Sequence, residues 1–196
     1  MSLSERRRAV FLDRDGVLND TVEDPVDGRP ESPLRAADVV LAEGAVEGCR
    51  MLREAGFLLL VASNQPAAAK GKATREELRE VHDRVVSLLT AQGVAIDDWR
   101  YCLHHPEATV PELRGDPCGC RKPAPGMLLE LAEAHAVDLG ASWMVGDSDG
   151  DIGAGIAAGC TTVLIEHPGS AHRRSGQPAP AALARNLSPA AAFICS

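Results

Sequence analysis

The sequence predicts an α/β fold: a parallel sheet with helices on both faces. Three observations predict it. Short apolar runs of strand length alternate with longer amphipathic runs along nearly all of the 196 residues. No internal repeat interrupts the alternation. Polar residues stand where the apolar runs end, at Asp13, Ser63 and Asp147, and open parallel sheets bind ligands beyond the carboxyl ends of their strands. The length suits one domain, taken as 1–196.

The elements follow in order. AVFLD, 9–13, reads as a buried strand, and the Pro-, Asp- and Gly-rich stretch 20–38 as a long loop. Residues 44–56 read as a helix with Gly56 as its C-cap, and 57–63 as a strand. Thr74 to Gln92 reads as a helix, with Thr74 and Glu77 spaced as a capping box. DWRYCLH, 98–104, is a short strand. The next helix, 126–137, is opened by Pro123 and Pro125. Then come a strand at 143–147, a small-residue helix at 151–159 and a strand at 161–166. Residues 167–181 read as an exposed connection.

Composition narrows the function. Hydrophobic residues make up 45%, a globular value, and 28 acidic against 20 basic residues leave a net charge of −8. Nucleic acid, which is held by basic patches, is therefore not an expected partner. No apolar run approaches the ~20 residues of a membrane span, so no membrane partner is expected. The basic start carries no signal-length apolar segment. The expectation is a cytoplasmic protein, monomeric, acting on a small molecule.

The acids carry the first chemical signal. Asp13 and Asp15 are separated by one residue at a strand end, and Gly16 follows. Asp147 ends a second strand, with Asp151 one helical turn later. Such carboxylates repel unless a hard cation lies among them, and Mg²⁺ with oxygen ligands is the natural one. Ser63 and Asn64 close another strand, and Lys122 precedes two prolines that fix its backbone. Ser63, Lys122 and backbone N–H groups can together hold phosphoryl oxygens.

The cysteines carry the second signal. Cys102-x-His104 and Cys118-x-Cys120 supply three thiols and an imidazole, the donor set of a closed structural Zn²⁺ site. The loop between them, with Pro106, Pro111 and Pro117, has little core of its own, and zinc would fold it. His105 competes with His104 and ranks second. Cys49 and Cys160 read as buried small hydrophobes. Cys195 carries no assignment.

In combination and in order, D-x-D-G-V, a Ser at a strand end, a Lys before a helix and G-D-x-x-x-D resemble the haloacid dehalogenase (HAD) superfamily, from Val10 to about Ile165. The resemblance implies a three-layer, HAD-like fold with a minimal cap made by loops near 20–35, 65–73 and the zinc loop. It implies a phosphatase in which Asp13 is the nucleophile and Asp15 the general acid and base. Mg²⁺ would be held by Asp13, Asp147 and the main-chain carbonyl of Asp15. Ser63, Asn64 and Lys122 would bind the phosphoryl group, and Asp151 would orient the metal's surroundings or Lys122.

The segment YCLHHPE…CGCRKPAPGM is similar to the zinc-containing branch with the heptose 1,7-bisphosphate and histidinol-phosphate phosphatases. That branch implies a phosphorylated sugar as substrate, the heptose bisphosphate first, and a distal contact from Arg121. The sequence departs at PAAAKGK, 66–72, where the heptose enzymes have a Gly- and Arg-containing segment and Lys70 is the candidate for the arginine position. A different sugar phosphate, or a non-catalytic zinc-stabilised binding protein on the same fold, stays open at this stage.

Overall fold

Four consecutive apolar residues, Ala9–Leu12, form the central strand β1, and all four side chains are buried. Such a strand needs cover on both faces. The computed structural model, which describes residues 6–24, 28–115 and 118–196, supplies it. β1 pairs in parallel with β4, Leu58–Asn64, on one side and with β6, Trp143–Gly146, on the other. β5, Asp98–Cys102, extends the first side. β7, Thr161–Ile165, and β8, Ala182–Ala184, extend the second. The sheet order is β5-β4-β1-β6-β7-β8.

Alternation along β1 divides the core in two. Val10 and Leu12 face α1, Ala45–Glu54, α2, Arg75–Ala91, and α5, Leu187–Ile194. Ala9 and Phe11 face α3, Gly126–His135, and α4, Asp149–Ala158. The Thr74–Glu77 capping box is formed at the start of α2. Cys49 and Cys160 are buried and Cys195 is exposed.

Three departures bear on the site. The 20–38 stretch is not a plain loop. β2, Val22–Glu23, pairs antiparallel with β3, Pro30–Glu31, and a 3-10 turn follows at Ala36–Asp38. Two-residue strands are too short to show a period of two, so this sequence reads as loop. Residues 25–27 of it, and 116–117 of the zinc loop, lie outside the described residues. The 167–181 connection is not simply exposed either: Pro168–Arg173 forms a 3-10 turn around a fully buried Ser170. Finally, β8 and α5 follow the last expected strand. Their cue was Asn186 before an apolar run, and its side chain does cap α5 by accepting from the Ser188 N–H.

Candidate active site and metal sites

β1, β4 and β6 end side by side, which brings Asp13, Ser63 and Asp147 to one edge of the sheet. Asp13, Asp147 and Asp151 converge until one oxygen of each lies within 4.8 Å of the others, and all three are buried. Two glycines permit the approach. A Cβ on Gly16, at φ +83°, would lie 2.1 Å from Asp147 Oδ2, and one on Gly146 would lie 2.2 Å from the Asp151 side chain. Asp151, expected to orient the metal's surroundings or Lys122, lies against the Lys122 ammonium and is the third carboxylate of this group. It also caps α4, accepting from the Ser148 N–H at 3.0 Å and the Ser148 hydroxyl at 2.5 Å.

Lys122 reaches into this group. Its Nζ lies 2.9 Å from Asp13 Oδ1 and 2.5 Å from Asp151 Oδ1, and donates to the Ala62 carbonyl at 2.6 Å. Burial works against the ammonium, but the Asp13 and Asp151 charges outweigh it and raise its pKa. The Asn64 amide holds the Lys122 backbone from both sides. It accepts from the Lys122 N–H at 3.1 Å and donates to the Lys122 carbonyl at 3.1 Å. Asn64 is thus committed to positioning Lys122. Ser63 is buried near the end of β4, with its hydroxyl accepting from Gln65 at 3.1 Å.

Three carboxylates against one ammonium leave two negative charges in excess. Among the described residues, both Asp147 oxygens are buried without a partner at hydrogen-bond geometry, although the Ser170 hydroxyl and the Arg173 charge act to lower the Asp147 pKa. Burial, with Asp13 and Asp151 beside it, raises the Asp147 pKa well above the usual carboxylate value. An all-oxygen, doubly negative set with orphaned oxygens fits a hard divalent cation such as Mg²⁺. The metal-free folded state binds a proton at Asp147 more tightly than the unfolded state does. Its stability contribution is therefore full below the ordinary carboxylate pKa and is lost as pH rises through the raised value. Metal-free Asp147→Asn is accordingly expected to be more stable than wild type at neutral pH. Wild type should gain melting temperature with Mg²⁺ and the variant should not. Thermal melts with and without Mg²⁺ check both.

Asp15 has different surroundings. Arg14, a fully buried arginine between the two aspartates, donates to Asp15 Oδ1 at 3.0 Å and Oδ2 at 3.1 Å. Asn19 donates to Oδ1 at 2.9 Å and Gln65 to Oδ2 at 2.7 Å. Burial alone would raise the Asp15 pKa, but Arg14 and these donors outweigh it and hold the carboxylate ionised. Arg14 itself lies over the Tyr101 ring, 5.7 Å from its centroid.

Above the acids opens a cleft of about 770 Å³. Asp13, Asp15 and Lys122 line its floor, and Arg29, Glu31, Gln65, Lys70, Arg121 and Arg173 are among its walls. The 20s hairpin and the 65–73 loop flank it, as expected of a loop cap.

Beside the cleft, Cys102, His104, Cys118 and Cys120 bring their sulfur and nitrogen atoms within 4.8 Å of one another. His104 enters through Nδ1, 3.2 Å from the Cys118 sulfur and 3.4 Å from that of Cys120. His105 points elsewhere, its Nδ1 accepting from the Glu107 N–H at 3.1 Å. Burial opposes ionisation of Cys118, but hydrogen bonds from Cys120 and from backbone N–H groups bring its thiol down to about 7. Three sulfurs and one imidazole nitrogen, closed to further ligands, fit Zn²⁺.

Comparisons with known proteins agree with this geometry. Residues 119–190 match the HAD-hydrolase-like family model. The chain is 34% identical over 171 residues to the D-glycero-beta-D-manno-heptose-1,7-bisphosphate 7-phosphatase of Yersinia pestis, covering 87% of this chain and 86% of the relative. It is 40% identical over 154 residues to the enzyme of that name from Rhodopseudomonas palustris, covering 79% and 81%. The chain belongs to the HAD-like phosphatases.

Solved structures of this family superpose over most of the chain. The D,D-heptose 1,7-bisphosphate phosphatase of B. bronchiseptica, complexed with magnesium and phosphate, aligns with a TM-score of 0.79 at 28% identity, covering 95% of this chain and 97% of that one. A solved structure from Mesorhizobium loti aligns with a TM-score of 0.79 at 30% identity, covering 97% and 85%. No described helix is long and apolar enough to cross a membrane.

Proposed function

We propose that this phosphatase removes the C7 phosphoryl group of D-glycero-β-D-manno-heptose 1,7-bisphosphate, through a covalent intermediate on Asp13. The observation that carries the reading is the buried Asp13–Lys122–Asp151 ion-paired group on the floor of the cleft, with Asp147 beside it. The relatives of that name, aligned over most of the chain, support the substrate.

In this mechanism a carboxylate oxygen of Asp13 attacks phosphorus, and the bond from phosphorus to the sugar oxygen breaks. Asp15 donates a proton to that oxygen. Water, giving a proton to Asp15, then attacks phosphorus and releases inorganic phosphate and free Asp13. Lys122 stabilises charge on the phosphoryl oxygens, and Asn64 holds Lys122 in register. Asp13, Asp147 and Asp151, with the main-chain carbonyl of Asp15, would hold Mg²⁺, which supplies charge neutralisation at the phosphoryl group. Cys102, His104, Cys118 and Cys120 would hold a structural Zn²⁺. The donors around Asp15 favour its base form, so the present arrangement suits the second step. For the first step Asp15 must take up a proton, and Gln65, the donor that lines the cleft, is the one a substrate can displace.

The test is ³¹P NMR of the heptose bisphosphate incubated with enzyme and Mg²⁺. The expected product retains the C1 phosphate. Loss of the C1 phosphate first, or faster turnover of histidinol phosphate, would overturn the substrate assignment.

A further inference from the structure

A substrate with a single phosphoryl group needs cations only at the Asp13 end of the cleft, and Lys122 serves there. The cleft wall carries more. Lys70, Arg121 and Arg173 all line it, and among the described residues none of the three has a carboxylate within ion-pair distance. On a chain of net charge −8, three unpaired cations facing one cleft are not an average surface. Arg121 donates to the His104 carbonyl at 3.1 Å, which ties it to the cysteine–histidine loop. Arg173 comes from the 3-10 turn Pro168–Arg173, and its charge opposes that of Arg121 and partly offsets that of Asp147.

The segment that delivers Arg173 is fastened to the active-site loops. Arg174 donates to the His167 carbonyl at 2.8 Å and to the buried Ser170 hydroxyl at 2.7 Å. The Ser175 N–H and hydroxyl both donate to Asp149 Oδ2, at 2.5 and 2.6 Å, at the start of α4. Arg173 Nε donates to His172 at 3.3 Å, and among the described residues the two terminal nitrogens of its planar fork make no hydrogen bond. Such a fork matches phosphate bidentately. An anion between Arg121 and Arg173 would also relieve their repulsion.

We propose that Arg173 is a specificity-determining residue that, together with Arg121, grips a second anionic group of the substrate. The cleft is then built for a bisphosphate whose far phosphate lies against the 168–175 segment. This rests on the phosphatase reading above.

Binding to catalytically disabled protein tests it without turnover. The heptose 1,7-bisphosphate and the heptose 7-phosphate are titrated calorimetrically into Asp13→Asn and into Asp13→Asn/Arg173→Ala. The bisphosphate should bind Asp13→Asn more tightly than the monophosphate. Arg173→Ala should weaken the bisphosphate about tenfold to a hundredfold and the monophosphate several-fold less. Arg173→Lys, which keeps charge without the fork, should fall between. Equal weakening of both ligands, or no preference for the bisphosphate while Arg173 is intact, would overturn the proposal. Failure of wild type to hydrolyse p-nitrophenyl phosphate with Mg²⁺ would instead sink the phosphatase reading, and the binding result still decides the role of Arg173.

Discussion

Asp13→Asn is expected to lower kcat by roughly 10⁴-fold or more while leaving the protein folded. The amide is a far poorer nucleophile than the carboxylate, so the covalent route closes. The fold should survive because Lys122 keeps its second carboxylate, Asp151, at 2.5 Å and its bond to the Ala62 carbonyl. Circular dichroism and a thermal melt monitor the fold, and phosphate release from p-nitrophenyl phosphate reads the activity. A variant that melts like wild type and turns over within tenfold of it would contradict the nucleophile assignment.

The second large effect concerns zinc. Protein purified without chelator is expected to hold one tightly bound zinc per chain. Cys118→Ser should lose it, with a lower melting temperature and at least a tenfold loss of activity, since structural zinc supplies folding free energy to its loop. The coupling to activity is short. Cys120 is followed directly by Arg121 and Lys122, the first lining the cleft wall and the second its floor. Gly126, at the start of α3, backs the same turn: its N–H donates to the Gly119 carbonyl at 3.0 Å. Elemental analysis and a melt of the two proteins check this. Retention of zinc and wild-type activity in Cys118→Ser would contradict it.

The sheet was legible because its strands are buried on both faces and read as uninterrupted apolar runs such as Leu58–Ala62. The acid cluster was legible for a related reason, since acids at such strand ends stand out against apolar neighbours. His104 ranked ahead of His105 as the imidazole ligand, with the choice open, and the structure turns His104 toward the thiols. Arg14 was not legible. A residue between two functional aspartates looks like a spacer, and only the fold shows it fully buried against Asp15 and Tyr101. Gln65 was missed likewise, because its bonds to Asp15 and Ser63 depend on how the chain leaves β4. Arg173 was hidden in a Pro-, Gly- and Ser-rich segment without hydrophobic period. Its approach to the cleft depends on long-range fastenings, Ser175 to Asp149 among them, that no local pattern encodes.

The central claim, that Asp13 carries the phosphoryl group, is tested most directly by trapping it. Asp15→Asn removes the base for the water step, and p-nitrophenyl phosphate, whose leaving group needs no acid, still allows the first step. The phosphorylated enzyme should therefore accumulate. Acid quenching during turnover, proteolysis and mass spectrometry should find one added phosphoryl group on the peptide containing Asp13, and none in Asp13→Asn/Asp15→Asn. A turning-over enzyme that never carries phosphate on Asp13, or carries it on another residue, would contradict the account.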